Sequence, residues 1–566
     1  MATNVAATDN TVPTEKVSEH PSGEGLHKAQ IAPIAKEDGI HREGEDPKPQ
    51  YITGIKYWLI VFALCLAIFV IMLDGTVIAT AAPEITDEFH SLADLGWYSS
   101  VYFSALSIAQ LLFGKLNTLY SIRWTYTCAM LLFLALVVGS AICGAAPNSP
   151  ALIVGRAIAG LGCSGLLIGT FSLIPLIAAP LKRPIFVGTV GGVLGLGMSI
   201  GPLVGGAFTE NITWRWNFYL NLPVGAVSYL IFFFLIHPPA TSKPIKSASP
   251  ILRAIDLLGL LIVAPCVICL LLALQWGGPI YPWSDGRIIA LLVLFGVLGI
   301  AFIAVEIWQG DEALLPPRVF TQRSLLAAVF FCFCSSGSSF TFAYYVPIWF
   351  QAVLGTSPLQ AGVDTLPLVI SQTIASVVGG GGIAAMGYIW PFMIASSVLL
   401  SVGAGLITTF NSTIPTGNWI GYQILYGLGM GLSAQTPLMV AQNVLELDDI
   451  PLGSGMVMFT QTIAGAIFTA VAQALFGNRL YSGLAGLNLP GFDFSEALAG
   501  GVTSITAGLT GDLKQAVVQV INTALTHSWR LCVALSCIGM IGSLVLKRQK
   551  IRGHENSKKT ELPHHD

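Results

Sequence analysis

Charged residues are scarce in this chain, and their scarcity excludes an ordinary soluble protein. Asp, Glu, Lys and Arg make up 10% of the 566 residues, whereas a typical soluble domain carries about 25% charge. Hydrophobic residues account for 54% of the chain, and the mean hydropathy is +0.72. Apolar runs of about 20 residues recur along most of the length, which indicates an all-α polytopic membrane protein.

Several motifs of catalytic and cofactor chemistry are also missing. The ten cysteines all lie in apolar runs and provide no disulfide framework. We expect the nine histidines to lie in tails or loops, which argues against an intramembrane haem or metal site. No G-x-x-x-x-G-K-[ST] sequence occurs, so a phosphate-binding loop is excluded and ATP is not the energy source. We therefore expect no enzyme activity, no metal site and no nucleic-acid partner.

Fourteen apolar runs are long enough to span a membrane, and an even number places both termini on one side. Placing the termini in the cytoplasm puts sixteen Lys and Arg residues inside and five outside, as the positive-inside rule requires. The predicted spans are 58–80, 95–116, 124–144, 151–174, 184–207, 216–236, 256–276, 287–308, 324–346, 361–386, 390–410, 419–440, 452–476 and 529–546.

An internal repeat divides these spans into two halves. The segment "RAIAGLG" begins at Arg156 and "QILYGLG" begins at Gln423, and the same offset relates Pro184 to Pro451 and Gly188 to Gly455. Duplicated halves are the usual architecture of secondary transporters, with chance similarity of glycine-rich segments as the alternative. The predicted organisation is a disordered cytoplasmic tail (1–53), a six-helix half (54–236), a polar linker with two extra helices (237–322), a second half (323–546) with a long outer loop (477–527), and a cytoplasmic tail (547–566).

The fifth predicted span is rich in glycine, reading "GGVLGLGMSIGPLVGG" over 191–206. Hydrocarbon enforces the helix because no water is present to bond the backbone. The glycines then provide a bare surface that another helix can approach closely. Gly197, Gly201 and Gly205 share one face of this helix, Pro202 favours a bend, and Gly206 follows the last of them.

These motifs resemble those of the fourteen-span drug:proton antiporters of the major facilitator superfamily. The glycine segment is similar to the antiporter motif of span 5, "LDGTVIATAAPEI" to the span 1 pattern, "GRAIAGLG" to the span 4 motif, and "WRWNFYLNLPVG" to the entry of span 6. The segments "GYQILYGLGMGLSAQTPLMVAQ" and "FTQTIAGAIF" resemble fungal efflux pumps for toxins and other secondary metabolites. The loop "GKLNTLYSIRW" departs from the superfamily pattern, because Asn117 replaces part of its acidic sequence.

The resemblance implies a major facilitator fold, with two pseudo-symmetric six-helix halves and two inserted central helices. It also implies proton-coupled export of small, largely hydrophobic toxins, drugs or metabolites by alternating access. A related importer or vacuolar transporter for siderophores or basic amino acids is the alternative, and a membrane enzyme or receptor is a third interpretation. We expect a monomer in the plasma membrane, with a vacuolar or vesicle membrane as the alternative location.

Two ionisable residues in the spans are candidates for proton coupling. Asp74 lies in span 1, where an ionised carboxylate costs about 2.5–3.5 kcal/mol at mid-membrane. Arg156 lies in span 4 and cannot lose its proton, so it must pair with a neighbour, orient water or act on a nearby acid. The resemblance implies a role for both in proton coupling; purely structural roles are the alternatives.

Aromatic and amide side chains in the second half suit a large ligand that is mostly apolar. Lipid-facing or interfacial positions are the alternative for the aromatic residues. The candidate cavity residues are Tyr344, Tyr345, Gln423, Gln435 and Gln461.

Two loops related by the repeat carry opposite charges. Lys182 and Arg183 follow span 4, whereas Asp448 and Asp449 follow span 12. We hypothesise that they latch the cytoplasmic ends of the two halves, with two solvated loops as the alternative. The N-glycosylation sequons at Asn211 and Asn411 fall on the predicted outer side.

Overall fold

The computed structural model describes residues 52, 54–90, 94–134, 142–236, 255–278, 280–487 and 511–551. These ranges hold fourteen principal helices and several short connecting helices of one or two turns. The helices are α1 Ile55–Phe89, α2 Leu95–Leu119, α3 Ile122–Leu134, α4 Ser149–Ile177, α5 Arg183–Asn211, α6 Asn221–Leu235, α7 Leu257–Trp276, α8 Gly286–Gln309, α9 Arg323–Val353, α10 Leu366–Met386, α11 Trp390–Ile407, α12 Thr416–Val444, α13 Ile450–Ala485 and α14 Gly511–Val545.

Twelve helical stretches in the described ranges are long and apolar enough to cross a membrane. The other two helices are α2 and α3, which are absent from that set for different reasons. α2 is less apolar because of its Ser, Tyr and Lys residues, and α3 is described over only its first few turns. Residues 135–141 of the predicted third span lie outside the described ranges. The count of fourteen spans therefore stays a prediction.

Two pairs of equivalent helices in the halves start at the offset of the sequence repeat. The offset that relates Arg156 to Gln423 also carries both bounds of α4 onto those of α12, and the first residue of α5 onto the first of α13. Pro184 and Pro451 both occupy the first turn of their helices, where the missing N–H costs nothing. The repeat read from the sequence thus matches the helix bounds of the structure.

The last part of the chain differs from the predicted organisation. α13 continues to Ala485 and α14 begins at Gly511, so both ends of the predicted outer loop 477–527 are helical. The amphipathic stretch before span 14 is continuous with that span, and His527 lies inside the helix instead of a loop. Residues 488–510 lie outside the described ranges, as do most of the predicted tails and residues 237–254 of the linker.

The helix connections form two ends of the bundle. The α4–α5 end carries the α2–α3, α4–α5, α8–α9, α10–α11 and α12–α13 connections. The α5–α6 end carries the α5–α6, α7–α8, α9–α10 and α11–α12 connections. The inserted pair packs through α7 against α2 and α13, while α8 exposes apolar side chains such as Ile300 and Trp308. The halves meet along α5 with α10 and along α2 with α13.

Candidate transport site

A buried ion pair joins α1 to α4 inside the first half. Arg156 Nη1 lies 2.9 Å from Asp74 Oδ2, and both side chains are fully buried. Asn221, in the first turn of α6, donates from Nδ2 to the other oxygen of Asp74 at 2.7 Å. Each carboxylate oxygen therefore has a nitrogen donor, which offsets the desolvation of its charge.

The Arg156 guanidinium is also held by backbone and aromatic groups. Its Nε donates to the carbonyl of Tyr98 at 3.0 Å, and Nη1 donates to the carbonyl of Asp74 at 3.1 Å. The ring of Tyr102 stacks on it, with 4.2 Å between Cζ and the ring centroid. Nη2 is buried and has no hydrogen-bond partner among the described atoms. The arginine is thus fixed in place while one donor stays available.

The glycine face of α5 packs against α1 and brings this helix close to the ion pair. A Cβ at Gly197 would lie 2.7 Å from Met72 Cβ, and a Cβ at Gly201 would collide with the Thr76 hydroxyl. Gly205 similarly approaches Thr80, whereas Gly206 has nothing within 4 Å. Three of the four motif glycines therefore form the contact with α1, and Gly206 does not. Pro202 lies inside the helix and is half-buried.

A second face of α5 contacts the other half of the molecule. A Cβ at Gly188 would collide with the carbonyl of Ser376 and lie 3.2 Å from Gly380 Cα in α10. In the equivalent contact, a Cβ at Gly114 in α2 would lie 3.7 Å from Gly455 Cα in α13. These two close helix pairs join the halves at the α4–α5 end.

A cavity of about 460 Å³ lies between the halves. Its lining residues come from α1, α2, α4 and α5 of the first half, from α7 of the inserted pair, and from α9, α10, α12 and α13 of the second half. Its described lining is mainly apolar and contains no Asp, Glu, Lys, Arg or His. Amides supply much of its polarity: Gln110, Gln275, Gln372, Gln435, Gln461 and Gln473.

Three of the five candidate cavity residues line this cavity, namely Tyr344, Gln435 and Gln461. The other two lie elsewhere, inside the second half. Gln423 is fully buried and donates to the carbonyl of Asp364 at 3.0 Å. Tyr345 is buried against Phe476 and Tyr344. Adjacent residues of α9 face different ways, so Tyr344 lines the cavity and Tyr345 fills the core.

Tyr102 connects the cavity with the ion pair. Its ring stacks on Arg156 and also forms part of the cavity wall, where Gly75 and Thr76 lie beside it. Its hydroxyl donates to the carbonyl of Ile71 at 3.2 Å and lies 3.1 Å from Cys163 Sγ. Sequence reasoning missed both Tyr102 and Asn221, although Asn221 lies in the quoted segment "WRWNFYLNLPVG".

The four candidate gate residues lie at the α4–α5 end, and two of them bind groups outside the predicted latch. Arg183 donates to the carbonyls of Pro175 and Ala178, and Asp449 accepts a 3.0 Å hydrogen bond from Arg318. Lys182 and Asp448 are exposed. The two loops nevertheless lie close together, because they border a common cavity of about 220 Å³.

The two sequons lie at the α5–α6 end. Asn211 is the last residue of α5 and is exposed. Asn411 is also exposed, and its side chain accepts a hydrogen bond from the backbone N–H of Thr413. Within the described ranges, no group of three or more His, Cys, Asp or Glu side chains could hold a metal ion.

Curated fungal proteins are similar to this chain over almost its whole length. The MFS-type transporter astH of Aspergillus oryzae is 42% identical over 515 residues, which cover 91% of this chain and 90% of that protein. The efflux pump aflT of Aspergillus parasiticus is 42% identical, covering 89% of this chain and 97% of that protein. The MFS-type efflux pump MFS1 of Trichophyton rubrum is 43% identical, covering 89% and 93%.

Solved structures share the fold at low sequence identity. The human organic anion transporter MFSD10 superposes with a TM-score of 0.56 at 15% identity, covering 88% of this chain and all of that one. The proton:xylose symporter XylE gives 0.57 at 13% identity, covering 89% and 99%. A sequence model of the Major Facilitator Superfamily matches residues 64–469. The resemblance read from the motifs is confirmed: the chain belongs to the Major Facilitator Superfamily, a family of membrane transporters.

Proposed function

We propose that this protein is a proton-coupled exporter of small, largely hydrophobic compounds such as toxins, drugs or secondary metabolites. The observation that carries the proposal is the cavity between the halves, whose uncharged, amide-bearing wall includes the tyrosine stacked on Arg156. Relatives over 40% identical are named efflux pumps, which supports export over import. The energy source in this proposal is the proton gradient, with no further cofactor.

The ion pair supplies the proton step in this mechanism. Asp74 is held by Arg156 and Asn221 in the structure, and it is next in sequence to Gly75 of the cavity wall. Protonation of Asp74 removes its attraction to the guanidinium and lets α1 and α4 separate. A ligand that moves Tyr102 disturbs the same arginine from the cavity side. Proton and ligand thereby act on one element from two sides, which is the requirement for exchange.

Alternating access in this proposal is a rocking of the two halves about the cavity. The close pairs Gly188–Gly380 and Gly114–Gly455 join the halves at the α4–α5 end. With both termini in the cytoplasm, that end faces inward, so the described state is closed to the cytoplasm. We place a monomer in the plasma membrane.

The experiment is efflux of Nile red, an uncharged apolar fluorophore, from yeast lacking its own pumps. Wild-type protein lowers the cellular dye, and a protonophore abolishes the difference. Persistence of efflux with the protonophore overturns proton coupling. Net dye uptake driven by the protein overturns export and favours the importer. The Asp74→Asn variant, matched for membrane expression, abolishes efflux if the proton step is assigned correctly.

A further inference from the structure

Two buried carboxyl groups lie at the α4–α5 end, apart from the transport site. Asp256 is the N-cap of α7, and Glu306 lies in the last turn of α8. Asp256 is 2% exposed and Glu306 is 6% exposed. Neither residue belongs to the repeat, because both lie in the inserted helix pair. Two acids buried together need hydrogen-bond donors, an opposite charge or a proton to offset the loss of hydration.

Asp256 has a full set of hydrogen-bond donors. Its Oδ1 accepts from the backbone N–H of Gly259 and from Gln309 Nε2, both at 2.7 Å. Its Oδ2 accepts from the backbone N–H of Leu314 at 2.8 Å. Both oxygens of Asp256 therefore act as hydrogen-bond acceptors in the structure.

Glu306 is satisfied at only one of its two oxygens. Oε2 accepts from the backbone N–H of Leu315 at 2.6 Å, whereas Oε1 is buried with no donor among the described residues. Oε1 lies beside Asp256: a Cβ built on Gly259 would be 2.9 Å from it and still nearer to Asp256 Oδ2. The two carboxyl groups therefore lie side by side against Gly259. Since an ionised carboxylate is only an acceptor, this contact becomes a hydrogen bond only if one acid is protonated.

We propose that Asp256 and Glu306 share one proton, carried on Glu306 Oε1 and donated to Asp256 Oδ2. The pair is then a proton-binding site separate from Asp74 and Arg156. The physical reason is that adjacent buried carboxylates repel and do not both ionise readily. The donor pattern assigns the proton, because Asp256 has three donors and Glu306 has one.

The described charged groups around the pair come from every element packed against it. Lys115 of α2 is buried and donates from Nζ to the carbonyls of Asp311, Glu312 and Ala313, at 3.4, 3.1 and 2.7 Å. Asp311, Glu312 and Arg318 are exposed on the loop after α8, and Asp449 caps α13. With one proton, the pair balances the charge of Lys115; without it, the site holds an additional buried negative charge.

The site controls a segment that bridges the halves. Residues 310–318 follow α8, and the backbone of this bridging segment donates to both acids through Leu314 and Leu315. Lys115 holds its beginning on the first half, and Arg318 binds Asp449 of the second half at its other end. Loss of the proton makes the two acids repel and loosens the bridging segment. That consequence for transport, though not the proton itself, rests on the proposed function.

The test is a pH-difference infrared spectrum of the purified full-length protein in lipid. Wild-type protein shows the C=O stretch of a protonated carboxyl group, and Glu306→Gln removes that component. The glutamine of this variant keeps the shape and donates an amide N–H to Asp256, so folding is retained. Glu312→Gln, at an exposed acid of the same segment, leaves the component unchanged, and so does Asp74→Asn. Identical spectra for wild type and Glu306→Gln overturn the proposal.

Asp256→Asn provides the second variant if Glu306→Gln does not fold. Asp256 has a positive φ of 53°, which asparagine also tolerates. The asparagine of this variant donates to Glu306 and leaves it ionised, so the same infrared component disappears. If the infrared component of the protonated carboxyl group is retained in Asp256→Asn, the proposal is overturned. Failure of the proposed function has a different signature, since Nile red efflux is then absent while the infrared component remains.

Discussion

At the scale of single residues, the two halves differ at one aligned polar position, which is charged in the first half and neutral in the second. The repeat aligns Arg156 with Gln423, which is buried and bonded to a backbone carbonyl instead of an acid. Only the first half thus contains the buried ion pair with Asp74 within the described residues. The sequence repeat identifies this polar position in both halves. Only the packing around each side chain shows that Arg156 binds a carboxylate and Gln423 binds a backbone carbonyl.

Removing the arginine alone and removing both charges have separate consequences. Arg156→Ala leaves Asp74 buried and unpaired, which costs about 3–5 kcal/mol of stability. The double variant Asp74→Asn/Arg156→Ala removes both charges, and we expect it to recover most of that stability without recovering efflux. Thermal unfolding of purified protein and Nile red efflux measure the two effects. Wild-type efflux by the double variant would contradict the role of the pair.

A second ion pair, at the α5–α6 end, predicts a pH dependence of stability. Glu88 lies beyond the apolar stretch Ile55–Ile78 and binds both terminal nitrogens of Arg215 at 2.7 and 2.8 Å. Hydrogen bonds from Arg215 and Trp214 lower the pKa of Glu88. A lowered pKa in the folded state contributes stability above the unfolded pKa of about 4.3, and this stability is lost as pH falls through the folded value.

The matching variant is Glu88→Gln. At pH 7 we expect it to melt at a lower temperature than wild type, because the charged hydrogen bonds are weakened. The difference shrinks as the pH is lowered through the folded pKa of Glu88. Thermal unfolding between neutral and acid pH measures it, and a difference that stays constant over that range would argue against this ion pair as the cause.

At the scale of elements, α5 presents one glycine face to α1 and another to α10. Gly197, Gly201 and Gly205 form the first face, and Gly188 lies on the second. The spacing of four identified a bare helix surface in the sequence, yet spacing alone does not name the partner helix. The structure resolves this choice, because close approach occurs on both faces of the same helix.

Bulky substitutions on α5 discriminate its packed face from its open one. Gly201→Leu forces a side chain into Thr76 of α1, and overpacking of this kind costs about 1–3 kcal/mol. Gly206→Leu is the matched control, since a Cβ there meets nothing within 4 Å. We expect loss of stability and efflux for Gly201→Leu only. Equal effects of the two variants on melting temperature would rule out the contact with α1 as the reason for the glycine motif.

At the scale of the whole molecule, the halves close on one another at the α4–α5 end. Gly188 meets Gly380 and Gly114 meets Gly455, so the two contacts repeat the same glycine-to-glycine geometry. The predicted charge latch is at the same end, where Asp449 binds Arg318. Close glycine packing therefore joins the halves at this end, and the charge latch between the two loops stays a prediction.

A bulky residue at Gly188 holds this end apart. Spin labels at Ile185→Cys and Leu447→Cys, two exposed positions beside the loops, report the separation of the halves once exposed Cys128 and Cys537 are changed to serine. We expect Gly188→Leu to lengthen the mean label distance, because its side chain collides with the backbone of α10. Gly206→Leu in the same background leaves the distance unchanged. An unaltered distance in Gly188→Leu would show that this contact does not hold the closed state.

The amino-acid sequence by itself determined the helical membrane character, the duplicated halves and the superfamily. Long apolar runs, a constant offset between repeated segments and ordered motifs are local or periodic signals, and they persist whatever the packing. Only the tertiary structure decided which side chains meet. Asn221 reaches Asp74 from another helix, Tyr345 turns away from the cavity that Tyr344 lines, and Glu306 of α8 lies beside Asp256 at the start of α7. The reason is physical: one sequence pattern fits several helix rotations and neighbours, and close packing with satisfied buried polar groups selects among them.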